Sequence, residues 1–234
     1  GALMMMEDNI KMETIFGDGS NSRDNSGFMG KLMGAGKRLI TGESLFMTTF
    51  TNEGNGKRHV YFASPYPGKI IPMDLSTLNG KIICQKDAFL AAAKGVTVGV
   101  EFQRKLGTGF FGGEGFIMQK LEGDGMAFIH AGGTIHERRL QPGETLRLDT
   151  GCLVAMTSDV DYDIEAVSGI KTALFGGEGI FLATLRGPGT VWVQSLPFSR
   201  LASRVFAAAP MSQGGGGKSS GEGGIGGLFD LFNK

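Results

Sequence analysis

The feature that most constrains this chain is that it repeats itself. "LFGGEGIFLATLRGPGTVWVQ", from Leu174, lies 64 residues beyond "FFGGEGFIMQKLEGDGMAFIH", from Phe110. Gly112, Gly113, Glu114 and Gly115 fall on Gly176, Gly177, Glu178 and Gly179, Leu121 falls on Leu185, and Phe128 falls on Trp192. A more divergent copy, "TGESLFMTTFTNEGNGKRHVYFA", opens at Thr41, with Gly42 and Glu43 at its head. A unit this short cannot bury its apolar face alone, so repetition implies units packed on one another.

Within a unit the pattern is β. Val96, Val98, Val100 and Phe102 alternate with small or polar residues, as do Val160, Tyr162 and Ile164. Period two with one apolar face is the mark of a half-buried antiparallel strand. Three short turns, Gly54-x-Gly56, Gly123-x-Gly125 and Gly187-x-Gly189, separate apolar runs at hairpin spacing. "YPGKIIPMD" (66–74) resembles "QPGETLRLD" (141–149), and "FLAAAKGVTVGVEF" resembles "CLVAMTSDVDYDIEA". The best helix candidate is Pro197 to Ala209, with Leu201, Val205 and Ala208 on one face. The fold class expected is all-β, with internally repeated antiparallel units, β-sandwich or double-stranded β-helix in style, and little helix. The organisation expected is an N-terminal arm over 1–27, partly disordered, and a repeated domain over 28–209. A Gly-rich tail follows over 210–234. Copies fall near 41–102, 110–166 and 174–197, the last stopping early.

The stretch Gly107 to Gly112 spells G-x-G-x-x-G, the string of dinucleotide-binding loops. That fingerprint needs a strand before it, a helix after it and an acidic residue about twenty positions on. Here "FIMQKL" and a glycine turn follow, and the next copy keeps "FGGEG" without the upstream glycines, so what repeats is a turn. "GGGGKSS" fails as a phosphate loop because its first required glycine falls on Ser212.

Glu43, Glu114 and Glu178 recur at equivalent places and are the candidate binding residues. A ring of such carboxylates suits a cation or a basic partner. The plainer account is that each closes its own turn by accepting backbone N–H groups. Asp159, Asp161, Asp163 and Glu165 line one strand face, which reads as a solvated outer face rather than a calcium loop. The histidines are His59, His130 and His136; aligning the copies puts His130 with Gln194 and Tyr61, and His59 with Phe128 and Trp192. None has a second ligand at zinc spacing. No G-x-S-x-G elbow occurs. No catalytic, cofactor or metal residue is therefore expected, and the chain is read as not an enzyme.

Charge balances at 23 basic and 23 acidic residues, which argues against a polyanion-binding protein. Nucleic acid is thus an unexpected partner, although "GKRHVYF" mixes basic and aromatic residues. Cys84 and Cys152 lie in apolar stretches and suit reduced thiols in a cytoplasmic protein. No run reaches the eighteen or so apolar residues of a membrane span. The tail "SQGGGGKSSGEGGIGG" reads as a linker, and it ends in Leu228, Phe229, Leu231 and Phe232, a candidate docking motif.

With "GGEGFIMQKLEGDGMAF", "PGETLRLDTGCLVA", "VDYDIEAV", "TGESLFM", "PGKIIPMDL" and "QKDAFLAA" in view, the chain resembles the Altered-Inheritance-of-Mitochondria family in a bacterial form. The resemblance covers about Phe28 to Arg204. It implies a fold related to the tryptophan RNA-binding attenuation protein, with β-units in ring-like oligomers, and no assigned activity. The functional expectation is a non-enzymatic, ring-forming scaffold or partner-binding protein, a trimer by family precedent. The alternative is a small-ligand or RNA-binding module using the grooves between units.

Overall fold

The computed structural model describes residues 2–16, 46–104, 116–166 and 181–209. Sixteen strands and one α-helix follow in chain order. They are β1 (Leu3–Met6), β2 (Ile10–Phe16), β3 (Phe46–Asn52), β4 (Val60–Phe62), β5 (Gly68–Asp74), β6 (Lys81–Gln85), β7 (Phe89–Ala92) and β8 (Thr97–Arg104). Next come β9 (Phe116–Glu122), β10 (Met126–Gly132), β11 (Ile135–Leu140), β12 (Thr145–Asp149), β13 (Leu153–Thr157), β14 (Asp161–Ala166), β15 (Phe181–Arg186) and β16 (Gly189–Gln194). The helix α1 (Phe198–Ala208) closes the described chain. The protein is all-β with little helix, and every strand pairing is antiparallel among the described residues.

Twelve of the strands form three layers, and β1-β4 and β2-β3 make two further two-stranded sheets. A six-stranded sheet, β11-β16-β13-β6-β9-β8, lies between two three-stranded sheets, β5-β10-β7 and β12-β15-β14. One apolar core contains Met73, Ile82, Cys84, Val98, Leu121, Ile129, Ala155 and Trp192. The other contains Ile83, Met118, Leu140, Leu153, Met156, Ile164, Leu185 and Val191. Neighbouring residues of one strand feed opposite cores, Ile82 and Cys84 the first and Ile83 the second. A strand covered on both faces must be apolar throughout, which is why "IIC" and "LVAM" do not alternate. Strands β8 and β14 have a wet outer face and do alternate.

Pairings recur at the spacing seen in the sequence. Ala127 opposite Ala92 returns as Val191 opposite Met156, and Thr97 opposite Glu122 returns as Asp161 opposite Arg186. Lys81 opposite Glu122 returns as Thr145 opposite Arg186. Three sequence expectations change as a result. First, β12 stands in the place of β6, so "QPGETLRLD" is the counterpart of residues 77–85, not of "YPGKIIPMD". Second, β15 and β16 find partners earlier in the chain, in β12 and β14 and in β11 and β13, so the early stop of the last copy leaves neither strand unpaired. Third, the N-terminal stretch expected as an arm contains two strands, β1 and β2, paired with β4 and β3. The rest of that stretch, 17–27, lies outside the described residues.

The three G-x-G turns join β3 to β4, β9 to β10 and β15 to β16. At Gly123 φ is +147°, and an added Cβ would lie 2.5 Å from the Gly95 carbonyl oxygen. Both facts require glycine there.

Candidate functional site

Glu43, Glu114 and Glu178 lie outside the described residues, as do Leu228, Phe229, Leu231 and Phe232. The functional surface that the described chain builds is elsewhere, on strand edges and exposed apolar faces. Among the described residues strand β1 pairs only with β4, and β12 only with β15. In β1 the side chains of Leu3, Met4, Met5 and Met6 are 37%, 58%, 51% and 42% exposed. They alternate between the two faces of the strand, so the β1–β4 ribbon is apolar on both, while in β4 Val60 and Phe62 are half-buried and Phe62 packs edge-on against Phe50. An unpaired edge carrying large apolar side chains is a template for another strand unless something covers it.

The helix α1 adds to this surface. None of its residues is buried, and Phe198, Val205 and Phe206 are each at least half exposed. Spacing of three and four residues puts Phe198, Leu201 and Val205 on one stripe. Its start is anchored: Phe198 packs on Tyr66 with ring centroids 5.3 Å apart, and the Arg200 guanidinium lies 3.7 Å from the Asp149 carboxylate.

Beneath that anchor are two buried polar side chains at equivalent positions, Gln194 on β16 and His130 on β10. Gln194 accepts a hydrogen bond from the Gly132 amide at 2.7 Å and donates to the Gly151 carbonyl at 2.8 Å. It thereby ties a strand end to a 3-10 turn. His130 is 1% exposed and neither ring nitrogen has a hydrogen-bond partner among the described residues. The edge of the Tyr66 ring packs on it, with centroids 4.4 Å apart. Burial pushes the His130 pKa below the ordinary value, with the nearby Tyr66 backbone opposing it more weakly.

The junction between β-units also carries a groove of roughly 390 Å³ with a mixed lining, Leu78, Leu140, Pro142 and Pro188 among its apolar residues. Thr77, Asn79, Arg139, Gln141, Thr157 and Asp159 line it, from the turn after β5 and the ends of β11 and β13. Arg139 and Asp159 give it one charge of each sign.

Other candidates resolve into structure. Asp161 and Glu165 of the acidic comb each meet an arginine at 3.2 Å, Arg186 and Arg147 respectively. No group of three or more metal-ligating side chains occurs among the described residues. His59 pairs with Glu7, with 2.9 Å between Nδ1 and the carboxylate oxygen. The bulge shared by β1, β7 and β13 shifts the first copy by two residues, so Tyr61, not His59, is the counterpart of Phe128 and Trp192. Burial pushes the Cys84 thiol up to about 12, which leaves it protonated and inert at neutral pH. Sequence reasoning missed β1 and Gln194. The signal for β1 was the match of "LMMM" to "FLAA" and "LVAM".

Stacked antiparallel sheets with open edges, exposed apolar strands and a groove between units define a class of multilayer β protein in which surfaces between units are the distinctive feature. The chain belongs to the Mitochondrial biogenesis AIM24 family, whose sequence profile matches residues 1–196. An uncharacterised protein of Streptococcus pyogenes serotype M6 is 31% identical over 216 residues, spanning 91% of this chain and 81% of that protein. The crystal structure of a Streptococcus pyogenes protein superposes with a TM-score of 0.67 at 27% identity, covering 89% of this chain and 87% of the other. Among the described residues no helix is long and apolar enough to cross a membrane.

Proposed function

We propose that this chain is a non-enzymatic, cytoplasmic assembly protein. It forms a closed homo-oligomeric ring, a trimer as the first expectation, and holds a protein partner on the surfaces the ring displays. The observation carrying this reading is β1: four large apolar side chains on both faces of a strand whose outer edge is unpaired. Such a strand is soluble in isolation only at a cost, and closing a ring removes both the edge and the exposed area. The tail supports the second half of the reading. Leu228, Phe229, Leu231 and Phe232 follow a Gly-rich spacer, the arrangement of a tethered docking motif.

Pull-down with the full chain and with a chain ending at Pro210 tests the partner half. Loss of capture on truncation, with assembly mass per subunit otherwise retained, assigns docking to the tail. Equal capture by both chains sinks the tail as the docking element.

The groove at the unit junction favours a second reading, a small-ligand or RNA-binding module. Its opposite charges, Arg139 and Asp159, suit a small zwitterion better than a polyanion. Absorbance ratio and intact mass of the purified protein decide it: co-purifying nucleic acid or a bound small molecule favours this reading over the first.

A further inference from the structure

We infer that β12 of one copy pairs antiparallel with β1 of a second copy, with Leu148 opposite Met5 and Arg147 opposite Met6. This rests on the assembly reading above and names its interface.

The template lies inside the chain. Strand β13 pairs with β6 and joins two three-stranded sheets into one of six, with Ala155 opposite Cys84, Met156 opposite Ile83 and Thr157 opposite Ile82. The counterpart of β6 is β12, because Lys81 opposite Glu122 and Thr145 opposite Arg186 are the same pairing in successive units. That equivalence puts Leu146, Arg147 and Leu148 where Ile82, Ile83 and Cys84 stand. The counterparts of β13 are β7 and β1. All three carry one skipped residue against their shared partner: Val154 between Leu153 and Ala155, Leu90 between Phe89 and Ala91, and Met4 between Leu3 and Met5. Met5 and Met6 therefore stand where Ala155 and Met156 stand.

Burial follows the pairing. Leu153, Val154, Ala155 and Met156 are at most 1% exposed between β16 and β6, whereas Leu3 to Met6 are 37–58% exposed with β4 on one edge and no described strand on the other. Ile82, Ile83 and Cys84 are at most 3% exposed; in β12, Leu146 and Leu148 are half-buried and Arg147 is exposed. Among the described residues, two strands of the types that join inside the chain are thus both left with an open edge. Strand β7 also has one open edge, but it is half-buried already and offers Ala91 and Ala92 where β1 offers Met5 and Met6. A second copy is the occupant because β1 and β12 of a single chain have no pairing with each other. Head-to-tail contact of this kind generates a ring when its rotation closes.

The test is a cross-link in a Cys152→Ser background. One tagged chain carries Met5→Cys and a differently tagged chain carries Leu148→Cys, and the two are co-expressed and mildly oxidised. Opposed residues of antiparallel strands lie about 4.5–5.5 Å apart at Cα, within disulfide range. The expected result is a disulfide-linked pair carrying both tags, with neither single variant cross-linking alone. In the unsubstituted full chain, amides of 3–6 and 145–149 should be protected from hydrogen exchange at high concentration and lose that protection on dilution. A bridge forming within one chain carrying both substitutions, without any two-tag product, overturns the inference. A multimer by light scattering with neither cross-link nor protection overturns it too and leaves the assembly reading standing. A monomer at all concentrations overturns both.

Discussion

Gln194 and His130 occupy one position in successive units and solve it differently. Gln194 offers an acceptor and a donor at once, and both are used. His130 is packed in the same kind of place with both ring nitrogens unpartnered, and a Cβ at Gly68 would lie 2.7 Å from its Nε2. The consequence is a pH dependence with a definite sign. The folded-state pKa lies below the ordinary histidine value of 6.5 because burial disfavours the cation. As pH falls below about 6.5 the unfolded chain takes up the proton first, so stability drops until the folded pKa is passed. His130→Gln should remove this component, because glutamine does not titrate and is the residue the next unit carries at the equivalent position, Gln194. Melting midpoints compared between about pH 7.5 and pH 5 should fall less in the variant than in the unsubstituted chain. An equal fall in both would show that His130 does not carry the acid sensitivity. At this scale the sequence is half legible. The 64-residue spacing pairs His130 with Gln194, but that both are buried, and that one is unpartnered, depends on the closing of a strand end over them.

Among the elements, the hairpin of β9 and β10 has the most stringent local demand. Gly123 holds φ at +147° with the Gly95 carbonyl against its Cβ position. Gly123→Ala should cost roughly 1–3 kcal/mol from the backbone conformation alone, with the steric contact adding to it. Urea denaturation measures this, and an unchanged midpoint would mean that the turn rearranges freely. The glycine turns, the alternating strands β8 and β14 and the helix α1 were all legible, because each obeys a local rule of period or turn chemistry. Two elements were not. Strands β6 and β13 are covered on both faces, which erases alternation. Strand β1 is apolar at every position, so "LMMM" carries no period and reads as part of an arm. The phase of "QPGETLRLD" was lost for a related reason: a shared Pro-Gly turn and terminal Asp outweighed the strand order that β-pairing imposes.

For the whole molecule, two three-stranded sheets against a six-stranded sheet make a layered body whose layers end in strands still open on one side. The all-β class and the family followed from sequence; the internal junction of β13 with β6, on which the assembly argument depends, required the pairing register. The central claim is that these open ends meet between copies. Size-exclusion chromatography with light scattering, run over a dilution series, tests it most directly. The account predicts a mass that is a small whole-number multiple of 24.7 kDa at working concentration. A single sharp peak at 24.7 kDa, unchanged from the highest to the lowest concentration, would contradict it.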